Sequence, residues 1–221
     1  MKNSCLLTLI LILFSASMSA QHYLFPVKTS GFHFSPSYSH FNTDGLKGIL
    51  WSFNAGYTVK GRFTTSLSLG SEVDKFITFQ LNEIKTTSTP IGVGLSYLVL
   101  KQEQHHTLLS LSIDMGYQYN HLSNEIVGRP GPGYTNNINT LLYGLSVYRN
   151  FHVSDQFTIS ASIGIGRGAA KSDDDTSNLP YSNYQLLFKI RKFYFSPVIQ
   201  VLEQNTYFTM MAGWILPLLS K

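Results

Sequence analysis

The predicted mature part of this chain has no cysteine, because the single cysteine, Cys5, lies in an N-terminal segment with the features of an export signal. Disulfide bonds and cysteine-ligated metal sites are therefore excluded. Long apolar runs are missing too, since no segment reaches the ~18 apolar residues that a membrane-spanning helix needs. The chain has neither the framework of a small disulfide-rich protein nor that of a helical membrane protein.

Charge is also scarce. Only 13% of the 221 residues are charged, which is about half the share usual in soluble domains. The formal net charge is +4, but the basic residues do not cluster along one stripe. We therefore predict no nucleic-acid partner.

The N-terminal segment predicts a cleaved signal peptide over residues 1–20. Lys2 supplies the positive start, Leu6 to Phe14 form an apolar core broken only by Thr8, and small residues follow. We predict cleavage before Gln21, with cleavage after Ser19 as the alternative. The apolar run is too short for a membrane anchor, so residues 21–221 are expected to form one mature domain.

A two-residue alternation runs through almost the whole of that domain. One phase carries large apolar residues and the other carries Ser, Thr, Gly, Asn and Gln; a clear example is Trp51, Phe53, Ala55, Tyr57 and Val59, interleaved with Ser52, Asn54, Gly56 and Thr58. Successive side chains of a strand point to opposite faces. An apolar face opposite an almost uncharged small polar face is typical of a membrane barrel with lipid outside and a narrow polar lumen inside.

Counting segments by this alternation predicts an all-β, antiparallel, up-and-down transmembrane β-barrel of about ten strands, with eight as the alternative. The segment 76–99 keeps one phase across Pro90, so we interpret it as a single long strand, preceded by a loop at 71–75. The two longest predicted loops, 120–138 and 167–182, then fall on the same side, as outer-membrane barrels require. Aromatic residues, 14% of the chain, collect near the predicted strand ends, where interfacial rings are expected.

The signal ending in Ala20-Gln21, the Gly-aromatic strand pattern and the long strand with Ile91 just after Pro90 resemble the small outer-membrane β-barrel proteins of Bacteroidota, with PorT-like or OmpX-like barrel domains. The resemblance covers most of the mature chain. It implies an eight- to ten-stranded barrel in the cell outer membrane, usually with no assigned activity.

Few charges fall at positions predicted to face the lumen. They are Asp114, Lys189, Arg191 and Arg62. A charge inside a narrow barrel has to be paired or hydrated. We expect these residues to form an internal salt-bridge or water network that holds the barrel shut; the alternative is a charged constriction in a small pore.

Two outer loops carry residues suited to contacts. Asp173, Asp174 and Asp175 predict a solvated acidic loop, with divalent-cation binding as the alternative. Arg129 and Tyr134 flank a Pro-Gly-rich turn in the longest loop, which predicts an ordinary turn-rich loop; the alternative is partner contact through this cation and aromatic ring. No spacing predicts a metal, cofactor or catalytic site.

These features favour a non-enzymatic outer-membrane barrel with a structural or partner-binding role through its outer loops. A narrow channel for small solutes is the first alternative. A rim enzyme acting on lipid or peptide is the second, with His40, His121, Ser123 and Glu125 as the residues near the outer rim. The expected partners are outer-membrane lipid and an envelope protein.

Overall fold

A computed structural model describes residues 24–26, 28–43, 46–77, 83–105, 107–127, 134–172, 176–202 and 205–218. These contain ten strands and one short helix. The strands are β1 (Ser30–Thr43), β2 (Leu46–Val59), β3 (Phe63–Ile77), β4 (Glu83–Leu100), β5 (Ser110–Ile126), β6 (Tyr134–Ser154), β7 (Phe157–Lys171), β8 (Thr176–Ile190), β9 (Phe193–Leu202) and β10 (Asn205–Leu218), and the helix is α1 (Gln102–His105).

Each strand pairs antiparallel with its neighbours in the chain, and β1 pairs with β10, so the sheet is closed. The closing register sets Phe32 opposite Leu216 and Phe34 opposite Trp214. Closure leaves no sheet edge to be covered. The predicted all-β up-and-down barrel with ten strands is confirmed, and the eight-strand alternative is wrong.

The two ends of the barrel differ. β1 begins and β10 ends at one of them, here called the terminal end, where residues 60–62, 101–109, 155–156 and 191–192 connect the strands. The opposite end, here called the loop end, holds the other five connections. Among the described residues, no helix is long and apolar enough to cross a bilayer.

The apolar phase faces outward around the whole barrel. Phe53, Leu67, Ile113 and Ile163, which a soluble fold would bury together, are 45–50% exposed and lie on four different strands. Aromatic side chains flank this apolar belt: Trp51 and Tyr143 toward the loop end, Tyr97 and Trp214 toward the terminal end. Such a continuous apolar surface is far larger than a soluble monomer exposes.

The long fourth strand was predicted to begin too early. β3 continues to Ile77, β4 begins at Glu83, and the hairpin sets these two residues opposite each other. Directly paired residues point to the same face. When an odd number of residues connects such a pair, as residues 78–82 connect Ile77 and Glu83, odd-numbered residues lie on the same face before and after the hairpin. The unbroken phase from Phe76 onward therefore did not indicate a single strand, and the loop predicted at 71–75 lies inside β3.

Strands at the loop end also run further than predicted. β5 extends to Ile126, β6 begins at Tyr134, β7 extends to Lys171 and β8 begins at Thr176, so the loops predicted at 120–138 and 167–182 are much shorter. Backbone pairing continues although the outward face becomes mostly polar, because the ladder satisfies every main-chain N–H and C=O it includes.

The loop-end parts of β3 to β6, here called the projecting sheet (residues 71–77, 83–89, 121–126 and 134–139), rise above the apolar belt. At ~3.3 Å per residue, six residues add roughly 20 Å along a strand. The outward positions of the projecting sheet are mostly polar, among them Lys75, Thr87, Thr89, His121, Ser123, Glu125, Thr135 and Asn137.

The inward face is not made only of small residues, as the alternation suggested. Serines and threonines dominate it, but large side chains also point inward and are fully buried: Leu50, Leu98, Leu122, Ile138, Leu142, Tyr148, Tyr207, Met211 and Ile215. A ten-stranded barrel has more internal volume than Ser and Gly can fill, and protein interiors are close-packed. The larger residues fill the remaining space.

Two side chains of β8 pack against glycines of β7. Gly164 stands opposite Asn183, and Gly166 stands opposite Tyr181. A Cβ at Gly166 would lie 2.6 Å from the Tyr181 hydroxyl oxygen, and one at Gly164 would overlap the Asn183 side-chain oxygen. The absence of Cβ atoms allows side chains of β8 to lie flat across β7, which is the way an aromatic ring covers a strand glycine.

Gly164→Ala is expected to lower the free energy of unfolding by about 1–3 kcal/mol, because overpacking a filled interior forces its neighbours to shift. The measurement is the urea midpoint, followed by loss of the fast-migrating folded band on an unheated denaturing gel. Since the overlapping atoms belong to side chains, Gly164→Ala combined with Asn183→Ala should cost less than the two single changes together. Additive losses would contradict this packing.

Candidate functional site

The terminal end of the barrel is closed by the chain that precedes β1. Leu24 and Phe25 are 1% and 2% exposed and pack among inward side chains of five strands: Leu98, Tyr148, Leu187, Tyr194, Val198, Met211 and Ile215. We call residues Leu24–Pro26 the plug. It adds to a buried apolar cluster at the end where a pore would open.

Two lysines hold the main chain of the plug. Lys189, on β8, donates from Nζ to the carbonyl oxygen of Leu24 at 2.6 Å. Lys101, which follows β4 and is buried, donates from Nζ to the carbonyl oxygen of Phe25 at 2.9 Å. Charge-assisted hydrogen bonds of this kind are stronger than neutral ones. Lys189 therefore lies inside the barrel, at the plug, and Lys101 lies beside it.

Asp114 lies at the centre of a hydroxyl network on β4, β5 and β6. Its carboxylate accepts hydrogen bonds from Ser96 and from Ser146, the latter at 2.7 Å, with Ser112 at 3.5 Å. The residue is 4% exposed. Hydroxyl donors from both neighbouring strands compensate the loss of water around the charge. This arrangement holds three adjacent strands together within the interior.

Two further carboxylates face the interior nearer the loop end, and the sequence reasoning missed them. Glu72 and Asp74 are each 1% exposed, and their side chains share a hydrogen bond. Ser88, opposite Glu72 on β4, donates to Glu72 Oε2 at 2.8 Å. Both had been placed in an outer loop. Their even numbers continue the inward phase of Thr64, Ser66 and Ser68, and that signal would have identified them.

Arg62 and Arg191, predicted as lumen charges on strands, lie in turns. Arg191 is exposed in the β8–β9 turn and donates from Nε to the side-chain oxygen of Gln156 at 2.7 Å. Arg62 is half-buried in the β2–β3 turn, where its carbonyl accepts from the Leu98 amide at 2.8 Å. Strand alternation stops where the backbone turns, and Lys60 and Arg191 both have positive φ. The face of these side chains therefore could not be read from the alternation.

The predicted loop contacts fall largely outside the described residues. This holds for Arg129, Asp173, Asp174 and Asp175. Tyr134 is the first residue of β6, opposite Asn124 on β5, and only its main chain is described. Partner contact by these residues remains a prediction.

Most inward side chains of the described strands are closed to water. The plug blocks the terminal end, Asp114 and its serines fill the middle, and Leu50, Leu122 and Ile138 point inward nearer the loop end with exposures of 1% or less. Residues that line an open pore would remain accessible to water. The described interior therefore contains no continuous water column.

The rim residues that an enzyme would use are not assembled. His121 faces outward, with Nδ1 2.9 Å from the side-chain oxygen of Asn137, and the hydroxyl of Tyr119 donates to the same oxygen at 2.8 Å. His40 faces outward on β1, four strands away from His121 on β5. Over the parts of the chain the structure describes, no three His, Asp or Glu residues are placed to hold a metal ion.

Comparison with protein-family models finds no match, and comparison with curated protein sequences finds none either. Solved structures of other proteins are similar to the structure of this chain. The transport unit of the autotransporter AIDA-I from Escherichia coli has a TM-score of 0.57 at 11% identity, over 98% of this chain and 97% of that one. The beta domain of the Bordetella autotransporter BrkA has a TM-score of 0.51 at 9% identity, over 86% of this chain and 99% of that one. These similarities show a shared barrel fold.

Asp114→Ala is expected to destabilise the barrel by about 1–3 kcal/mol, because the buried hydroxyls of Ser96 and Ser146 lose their acceptor. Asp114→Asn keeps one acceptor oxygen and should cost less. The measurement is urea unfolding of the purified barrel in detergent, with the outward-facing change Thr65→Ala as the control. A stability of Asp114→Ala equal to that of the control would show that the network does not hold the strands.

Proposed function

We propose that this protein is a closed, non-enzymatic barrel of the cell outer membrane, which has a structural role and contacts a partner through its loop end. The observation that carries this proposal is the combination of an exposed apolar belt with a filled interior. The belt matches the outward surface of a transmembrane barrel, and the plugged interior removes the usual reason for such a barrel to be a pore.

The finer assignments rest on the sequence alone. They are export through a cleaved signal at residues 1–20 and kinship with the small Bacteroidota barrels. An exported barrel with its termini toward the periplasm places the loop end outside the cell. The projecting sheet would then stand above the membrane surface.

The channel alternative is disfavoured by the packing of the interior. Ion passage requires a hydrated path or polar groups that replace the hydration shell. Leu24 and Phe25 at one end and Leu50, Leu122 and Ile138 toward the other offer neither. Rim catalysis is disfavoured because His121 is engaged by Asn137 and lies four strands away from His40.

The refolded protein should therefore insert into liposomes and migrate faster unheated than boiled, yet give no resolvable current in planar bilayers. The physical reason is that the plug and the interior side chains leave no water path. Liposome flotation confirms insertion in the same preparation. Steady unitary currents from protein shown to be folded by the gel would contradict a closed barrel, and failure to float would contradict the membrane location.

Partner contact is supported by the shape and chemistry of the projecting sheet. Its outward face carries hydroxyls, amides and both signs of charge, including Lys75, Glu125 and Asn137. A face of this composition is suited to water and to polar contacts rather than to acyl chains. A paired sheet also presents these groups rigidly, which lowers the entropic cost of binding.

A photoreactive benzoylphenylalanine at Thr135, on the projecting sheet, is expected to cross-link to a discrete protein in intact cells. The same group at Leu145, on the same strand but within the apolar belt, should give no protein adduct because it faces lipid. Adducts are detected by immunoblotting after irradiation. A lack of adduct at Thr135, or equal adducts at both positions, would overturn the partner role and leave the structural one.

A further inference from the structure

A groove of about 490 Å³ crosses the outward face of strands β6 to β10. Its lining is almost entirely apolar and includes Ile163, Leu186, Ile199 and Phe208. The volume lies within the ~300–1,000 Å³ of typical ligand sites. We call this feature the β6–β10 groove.

The groove lies where the β8–β9 ladder is interrupted and where β7 carries a small outward side chain. Pairing between β8 and β9 is interrupted between Gln185 and Phe188, where Pro197 of β9 stands on the groove floor. Proline has no N–H to donate. The carbonyl of Leu186 accepts instead from the Ser196 hydroxyl at 2.7 Å. Opposite Leu186 on β7 is Ala161, whose methyl group leaves space where neighbouring positions carry larger side chains.

A single cation stands at the edge of the groove. Arg149 pairs with Ala161, and its guanidinium carbon lies 5.1 Å from the centre of the Phe151 ring. Arg149 faces outward from β6. Leu109 and Val147 lie beside it in the groove lining. The exposed apolar residues Phe151 and Val153 follow on the same strand toward the terminal end. A charged residue on the lipid face of a barrel is costly, and an ionisable group among apolar side chains on that face calls for a partner of opposite charge.

We propose that the β6–β10 groove binds one glycerophospholipid, with the phosphate against Arg149 and an acyl chain over Ala161 and Pro197. The inference rests on the proposed function, because the groove meets lipid only if the apolar belt lies in a bilayer. The guanidinium fork matches two phosphate oxygens at once. The ring of Phe151 holds the guanidinium in place through a cation–π contact.

Charge complementarity and lining chemistry together select this occupant. A transmembrane helix of another protein would bring apolar side chains to the groove and leave Arg149 without an anion. An acyl chain is narrow enough to lie along the floor between β7 and β9, and its own headgroup supplies the anion at one end. Basic pockets on membrane proteins recognise lipid headgroups in the same way.

The test uses the purified full-length barrel, delipidated in a non-ionic detergent and titrated with dioleoylphosphatidylglycerol or with dioleoylglycerol, which lacks the phosphate. Native mass spectrometry measures the one-to-one adduct. The parent is expected to bind the phospholipid about tenfold more tightly than the diacylglycerol. Arg149→Gln should abolish that preference, and Ala161→Leu, which fills the floor, should weaken both lipids about tenfold.

Two matched variants serve as controls. Lys192→Gln removes an exposed cation from the β8–β9 turn at the same end, and Ala55→Leu enlarges an outward alanine on β2, on the other side of the barrel. Both should bind within about twofold of the parent. Should Ala161→Leu fail to fold, the headgroup preference of Arg149→Gln decides the question.

Failure of the lipid site and failure of the membrane location give different results. If the parent floats with liposomes but Arg149→Gln keeps its preference for the phospholipid, the lipid site is overturned and the membrane barrel stands. Equal weakening by the controls and the groove variants also overturns the site. If the parent does not float, the membrane location itself fails.

Discussion

The structure depends on the pairing of main-chain N–H and C=O groups in one ladder that returns to its start. An open sheet edge would leave a row of unpaired N–H and C=O groups, and closing the sheet removes that edge. The contact of β1 with β10 achieves this. Once the ring is closed, every strand has an inside and an outside, and alternation along the chain becomes a separation between an apolar exterior and a polar interior.

Closure creates an interior that must be filled. Three solutions occur at different depths: side chains of β8 lie across the glycines of β7, serines surround Asp114, and the plug with its two lysines packs at the terminal end. The first two tie neighbouring strands together, and the plug ties the start of the described chain to β8 and to the residue that follows β4. The lumen therefore acts as a core, and the surfaces left for interaction are the projecting sheet and the outward face.

Much of the fold could be predicted from the alternation. The alternation from Trp51 to Val59 lies within the observed β2, where the clean two-phase pattern ends at the turn after Val59. β3 and β4 were misplaced, because a hairpin with an odd connection preserves phase. Glu72 and Asp74 were placed in a loop because the loop was predicted at 71–75, whereas β3 continues to Ile77 and Ser88 on β4 supplies a hydroxyl partner to Glu72.

By itself, the sequence determined the class of fold and the face on which most side chains lie, because alternation is a local property of extended chain. It left the strand number at about ten or eight, and the closed ladder decided for ten. Only the tertiary structure decided that Lys101 and Lys189 hold the plug, that Arg191 leaves the lumen, and that Ala161 and Pro197 open a groove beside Arg149. These outcomes depend on register between strands and on side-chain volume in three dimensions. Neither is set by the residues adjacent in the chain.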